Sequence, residues 1–186
     1  MRRAFLVLFF IFLAAVTSAE AQVSESATAR QFTITAGAMG SLFSPNDKNA
    51  PYGPGAGHLY GAGTYVDFHF THWFQVEGEA RWLRIDPYYG ENQDHYLIGP
   101  KVPLYRVGRA QTYGKVMIGL GKMTFPYNYG YGSFTALAYG GGLDYKLSKK
   151  LTVRALDFEF QQWPKFLPGA SLDPYGVSVG IGYKVF

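Results

Sequence analysis

Along most of this chain apolar and polar residues alternate with a period of two, and clusters of Gly, Pro, Asn, Asp and Ser repeatedly interrupt the alternation. A period of two puts successive side chains on opposite faces of an extended backbone, so each run predicts a β-strand and each cluster a turn or loop. The clearest run is 174–186. Tyr175, Val177, Val179, Ile181, Tyr183 and Val185 share one face, and Gly176, Ser178, Gly180, Gly182 and Lys184 the other.

Seven earlier runs behave the same way. The first, 31–43, sets Phe32, Ile34, Ala36 and Ala38 against Thr33, Thr35, Gly37 and Met39. In the second, 58–71, Tyr60, Ala62, Thr64, Val66, Phe68 and Phe70 oppose Gly61, Gly63, Tyr65, Asp67 and His69. The third opposes Phe74, Val76, Gly78, Ala80 and Trp82 to Gln75, Glu77, Glu79 and Arg81. The fourth, 95–106, carries Tyr96, Ile98, Val102 and Leu104 outward and Lys101 inward, with Pro100 and Pro103 predicting a bulge or a weakly paired stretch. The fifth, 111–124, sets Val116, Ile118 and Leu120 against Lys115, Met117, Gly119 and Gly121. The sixth, 134–147, sets Leu137, Tyr139, Leu143 and Tyr145 against Gly140, Gly142 and Asp144. In the seventh, 151–163, Arg154 differs in parity from Asp157, Glu159 and Gln161, so a bulge near Ala155 or Leu156 is needed to bring all four to one side.

The connections alternate in length. Long loops at 44–57, 86–94, 125–133 and 164–173 interleave with short turns at 71–73, 107–110 and 148–150. That order predicts an all-β fold, an eight-stranded antiparallel up-and-down barrel with the long loops on one rim and the tight turns and both chain ends on the other. The last strand has an open edge unless it pairs with the first, and closing the barrel removes that edge. Strands of about 10 to 14 residues exceed the globular mode and suit a tilted transmembrane β-strand. Direction separates two readings. A transmembrane barrel turns Val76, Trp82, Val116, Ile118, Val177 and Ile181 toward lipid, whereas a secreted, soluble lipocalin-like barrel turns them inward around an apolar ligand.

Composition narrows the setting. Arg2 and Arg3, the apolar run Ala4 to Val16 and Ala19-Glu20-Ala21 give residues 1–21 the order of a secretory signal peptide, with cleavage expected after Ala21. Residues 22–30 read as a flexible leader and 31–186 as the barrel domain. Losing Arg2, Arg3 and Glu20 takes 17 basic and 13 acidic residues to 15 and 12, a net +3 that implies no nucleic-acid partner. With no Cys there is no disulfide framework, thiolate metal site or cysteine nucleophile, and no cofactor is expected. The 15 Tyr and 15 Phe, with only 16% charged residues, suit a sheet protein with aromatics at a membrane interface.

Facing puts Glu77, Glu79, Arg81, Lys101, Lys115, Arg154, Asp157 and Glu159 in the lumen. Eight strands leave a bore that side chains can fill. The reading is an ionic network that plugs it; a narrow ion or small-solute channel is the alternative. Glu77 and Glu79, two apart on one strand, also have the look of an acid/base pair, but they point into that interior. Tyr60, Trp73, Phe74, Trp82, Tyr96, Phe125, Trp163, Tyr175 and Tyr183 are expected in two aromatic girdles. His58 and His95 fall near the long-loop rim and His69 and His72 near the other, as rim polar residues without metal-ligand spacing. The Tyr-, Asn- and Gly-rich loops, including 126–131 and 86–89, suit recognition of an extracellular ligand.

Signal peptide, eight alternating strands, long-short connections and a final Phe186 preceded by Gly180-Ile181-Gly182-Tyr183 together resemble the small outer-membrane β-barrel family of OmpA/OmpX type, over 31–186. The resemblance implies a monomeric protein of the cell outer membrane, in contact with outer-membrane lipid and without catalysis. It also implies that the barrel-assembly machinery reads the C-terminal strand through Tyr183 and Phe186, although Phe186 has the parity of Lys184 and Gly182. No periplasmic tethering domain is expected after the barrel. A lipid A deacylase-like site would need His, Ser and a carboxylate together on the outer wall, and no such set is legible.

Overall fold

The computed structural model describes residues 32–46, 57–85, 90–128, 130–167 and 170–185. The expected signal peptide and leader, residues 86–89, Tyr129 and Phe186 lie outside the described residues. Within the unit Gln31–Phe186 the alternating runs form β1 (Thr33–Ser44), β2 (Leu59–His69), β3 (Gln75–Ile85), β4 (Asn92–Val107), β5 (Ala110–Thr124), β6 (Tyr131–Lys146), β7 (Leu151–Leu167), β8 (Ala170–Leu172) and β9 (Tyr175–Lys184). Hydrogen-bonded neighbours run β6-β5-β4-β3-β2-β1-β9-β7, all antiparallel, and β6 also pairs with β7. The eight long strands therefore close into a ring. The seam is continuous, with Ala38 opposite Ile181 and Gly40 opposite Val179. β8 is a three-residue addition that pairs back onto the end of β7.

Each strand resolves the facing question the same way. Glu77, Arg81, Arg154, Asp157 and Glu159 are fully buried, whereas Val116 is 62% and Val179 57% exposed on the outer wall. Val76 is half-buried, and Trp82, Ile118, Val177 and Ile181 are exposed, so the soluble barrel with an inward apolar lining is excluded. The outer row of β9, Tyr175 to Val185, is apolar throughout. At ordinary strand rise and tilt it stands about 25 Å tall, the height of a membrane barrel's apolar band.

The expected bulge in β7 is present. Pairing with β9 shifts between Arg154 and Asp157, and Ala155 and Leu156 both lie exposed between those two inward residues. In β4 the pairing with β5 shifts between Pro103 and Arg106. Pairing of β3 with β4 ends at Gln75 opposite Lys101, just before Pro103, which has no N–H to offer a neighbour.

The strands at the long-loop rim extend beyond the expected limits. β4 begins at Asn92, β6 at Tyr131, and β7 runs to Leu167. Thr124 still pairs with Tyr131, so the loop between β5 and β6 is short and contains a 3-10 turn, Pro126–Asn128, where Tyr127 and Asn128 take positive φ. The Gly- and Tyr-rich composition of this stretch suggested a loop, but cross-strand pairing overrides that preference.

Candidate functional site

Eight strands put one face of every alternation inside, and the interior they enclose has two storeys. In the middle, four cations meet six carboxylates. Lys115 Nζ from β5 lies 3.2 Å from Glu77, 3.0 Å from Glu79, 2.9 Å from Asp157 and 3.0 Å from Glu159. Arg81 Nη1 sits 2.8 Å from Glu79 and 2.7 Å from Glu159, and its Nη2 3.3 Å from Asp157. Arg154 grips Glu77 with both terminal nitrogens, at 3.1 and 2.5 Å, and reaches Asp67 at 3.3 Å. Lys101 Nζ bridges Asp67, Glu77 and Asp144 at 3.0, 3.1 and 3.1 Å. Aromatic rings cover the cations: the Arg154 guanidinium lies 3.6 Å from the Tyr65 ring centroid and Lys101 Nζ 4.1 Å from that of Tyr113. Ser41 and Ser178 hydrogen-bond to each other at 2.8 Å on the β1–β9 side of the interior.

Toward the long-loop rim the interior is packed mainly with rings and apolar side chains. His95 is fully buried, with its ring edge-on to Phe43 and to Trp163, and the Gln161 side-chain nitrogen is 2.9 Å from its Nδ1. Trp163 donates its indole N–H to Gln161 Oε1, and Gln161 in turn donates to Glu159 at 2.7 Å, which ties the upper storey to the ionic one. Leu97, Met117, Met123, Ala136, Ala138, Phe166 and Leu172 pack around Trp163. Gly121 is the seat for that indole: a Cβ there would stand 2.2 Å from a Trp163 ring carbon. Phe43, Leu59 and Leu83 form a second apolar cluster.

All eight residues expected in the lumen are therefore brought together. Asp67 and Asp144 belong to the same network and were not singled out, although both share the inward parity of Tyr65 and Gly142. Two aromatics expected in the girdles are elsewhere. Trp163 has the parity of Asp157 and Glu159, is completely buried and fills the interior. Phe125 packs half-buried against Phe166. The other seven lie on the outside of the barrel or at its tight-turn rim. Tyr60, Trp73, Trp82, Tyr175 and Tyr183 are exposed and Phe74 and Tyr96 half-buried, with the Trp82 indole donating to the Tyr96 hydroxyl at 3.1 Å. His95 is likewise an interior residue, not a rim one. His58 and His72 are exposed, and His69 meets Thr35 Oγ1 at 3.2 Å. Just above Trp82 and Tyr96 the outer wall turns polar: Arg84 pairs with Asp94, and Lys122 Nζ stands 5.3 Å from the Tyr96 ring centroid.

A sealed eight-stranded barrel, apolar outside and filled with ion pairs inside, defines the class of small outer-membrane β-barrel proteins. The chain matches the model of the outer membrane protein β-barrel domain over residues 9–184 and belongs to that family. Among solved structures it is similar to Neisserial surface protein A, at 11% identity and a TM-score of 0.59, over 82% of this chain and 96% of that one. It is also similar to the N-terminal β-barrel domain of Pseudomonas aeruginosa OprF, at 14% identity and a TM-score of 0.56, over 83% and 99% of the two chains. A third likeness is to OprG of the same organism, at 12% identity and a TM-score of 0.54, over 83% and 96%. At these identities the likeness is one of fold. No curated protein matches the sequence.

Proposed function

We propose that this protein is a closed, non-catalytic barrel of the outer membrane, structural in its wall and open to recognition at its long-loop rim. The observation that carries the reading is the filled bore: the side chains of Arg81, Lys115 and Arg154 are inaccessible to solvent and held by carboxyls on other strands, and Trp163, also fully buried, is tied to Gln161 of its own strand. A bore of eight strands has no room for a solute beside such side chains. At the long-loop rim Tyr131 is 89% and Tyr127 63% exposed, a composition suited to adaptable contact with an extracellular ligand. Tyr60, Trp82, Tyr96 and Tyr175 form the girdle at that rim, and Trp73, Phe74 and Tyr183 the girdle at the other. The protein is exported by a signal peptide cleaved after Ala21 and delivered to the barrel-assembly machinery through its C-terminal strand.

The test is conductance across a planar lipid bilayer with the purified, folded barrel. The expected result is a sealed membrane at all voltages that the bilayer itself survives. Discrete, reproducible single-channel steps would replace this reading with the narrow-channel one.

A further inference from the structure

Charge is divided unevenly between the two rims. The long connections and the strand ends flanking them, 44–57, 84–94, 122–133 and 164–173, hold four basic and five acidic residues. At the other rim, 69–75, 105–111, 145–151 and 183–185 hold six basic residues, Arg106, Arg109, Lys146, Lys149, Lys150 and Lys184, and no acidic one. Five of the six are exposed and Lys184 is half-buried. Among the described residues none of them is ion-paired, and Asp144, two residues before Lys146, is engaged by Lys101 and Arg154.

The six lie on one arc of the rim, because β4, β5, β6, β7 and β9 are consecutive neighbours in the ring. Backbone hydrogen bonds join them across strands: the Lys146 N–H donates to the Arg109 carbonyl at 2.9 Å, and the Lys184 N–H to the Lys150 carbonyl at 2.7 Å. The ends of β4, β6 and β9 also repeat one triplet of aromatic, cation and aliphatic residue: Tyr105-Arg106-Val107, Tyr145-Lys146-Leu147 and Tyr183-Lys184-Val185. Alternation sets each Tyr and its aliphatic companion on one face, and all six of those side chains are exposed. Tyr183 and Val185 continue the outer apolar row of β9, and Lys150 Nζ stands 5.9 Å from the centroid of the Tyr183 ring.

We propose, on the membrane-spanning reading of the barrel, that this arc binds the phosphate headgroups of anionic phospholipids in the leaflet that meets the tight-turn rim. Amphipathic rings settle at headgroup level, so the three exposed Tyr mark the height of the interface, and the cations stand at that height. Each cation near an anionic surface is attracted to it, and six with no acidic residue among them pull in one direction. An acidic polymer in solution would meet the cations alone and leave the exposed Tyr, Val and Leu side chains in water. The long-loop rim, where Arg84 is paired with Asp94, has no comparable excess of positive charge.

Electron spin resonance of spin-labelled lipids around the whole barrel in phospholipid vesicles reads which lipids are held at its perimeter. Spin-labelled phosphatidylglycerol is expected to be retained over spin-labelled phosphatidylcholine by roughly fivefold at low ionic strength. The preference should vanish in about 1 M salt, where the screening length falls to about 3 Å. Changing all six cations to Gln should bring the ratio to parity, whereas Lys122→Gln, at the long-loop rim, should leave it in place. Should the sixfold variant fail to fold, Arg109→Gln/Lys149→Gln/Lys150→Gln, confined to the turns, is expected to lower the ratio. Equal retention of the two lipids by the folded wild type overturns the proposal, and so does a preference that these substitutions leave unchanged. Binding of soluble polyglutamate without any lipid preference would overturn it too, in favour of an acidic polymer. A chain that inserts into vesicles of neither lipid would overturn the membrane-spanning reading as well.

Discussion

Arg154 sits over the Tyr65 ring and holds Glu77 with two nitrogens and Asp67 with one, its side chain and that of Glu77 fully buried. Removing one member of such a group leaves its partners charged and uncompensated. Arg154→Met is therefore expected to destabilise the folded barrel by roughly 3–5 kcal/mol. Urea unfolding in lipid vesicles measures it. Replacing Glu77 as well, in an Arg154→Met/Glu77→Leu double variant, should cost less than the two single changes added together, because part of the first loss is the stranded carboxylate. The residues of this network were legible as a set because charges that recur at one parity of a strand, opposite an apolar row, point to a shared interior. Trp163 and His95 were not. Parity was available for both, but a Trp near a strand end and a His near a loop suggest an interface, and only the packing of Gly121 against the indole shows where the ring lies. Gly121→Val should displace that ring, and a change in Trp163 fluorescence relative to a Trp73/Trp82 background would report it.

At the scale of the strand, the bulge in β7 does more than relieve a misfit. Arg154 and Asp157 are three apart, and a regular strand would turn one inward and the other to lipid. With Ala155 and Leu156 both outside, each reaches the interior, and so do Glu159, Gln161 and Trp163 beyond. Deleting Ala155 would remove the bulge and still leave both rows inward, since Arg154 and Asp157 are then two apart, whereas deleting Phe158 makes Asp157 and Glu159 neighbours and turns either Arg154 and Asp157 or the row Glu159, Gln161 and Trp163 onto the lipid face. The Phe158 deletion is expected not to reach the folded state, seen as loss of the heat-dependent shift in electrophoretic mobility that marks folded barrels. A polar substitution at the exposed Leu156 should leave that shift in place. The bulge was readable because charges marked both parities. Strand ends were not, since Tyr131, Gly132 and Ser133 have a loop's composition and become strand only because β5 continues opposite them.

The whole molecule is organised by a change of solvent across a single layer of sheet. The closed ring gives each of its eight long strands a neighbour on both sides, which is what permits a sheet to stand in hydrocarbon, and the same closure keeps the ionic groups away from it. This level was the most legible of the three, because the alternation on eight strands and the alternation of loop lengths agree on one topology, while outward and inward were separable only once burial was known. Depth along the barrel axis then makes a quantitative claim. On β5, Val116 lies about midway between Thr112 and the outward Lys122, near the middle of the apolar band, whereas Leu104 on β4 sits at its edge beside the tight-turn rim. Both are more than 60% exposed on the outer wall, so neither substitution disturbs the interior and the difference between them isolates the environment outside. Val116→Arg is expected to cost about 2–4 kcal/mol and Leu104→Arg about 0–1 kcal/mol in unfolding from phospholipid vesicles, following the depth dependence of a charge on the lipid face. In a detergent micelle, which deforms around a charge more readily than a bilayer, the two values should converge. Equal costs in vesicles would mean that the apolar row of β5 does not cross the membrane.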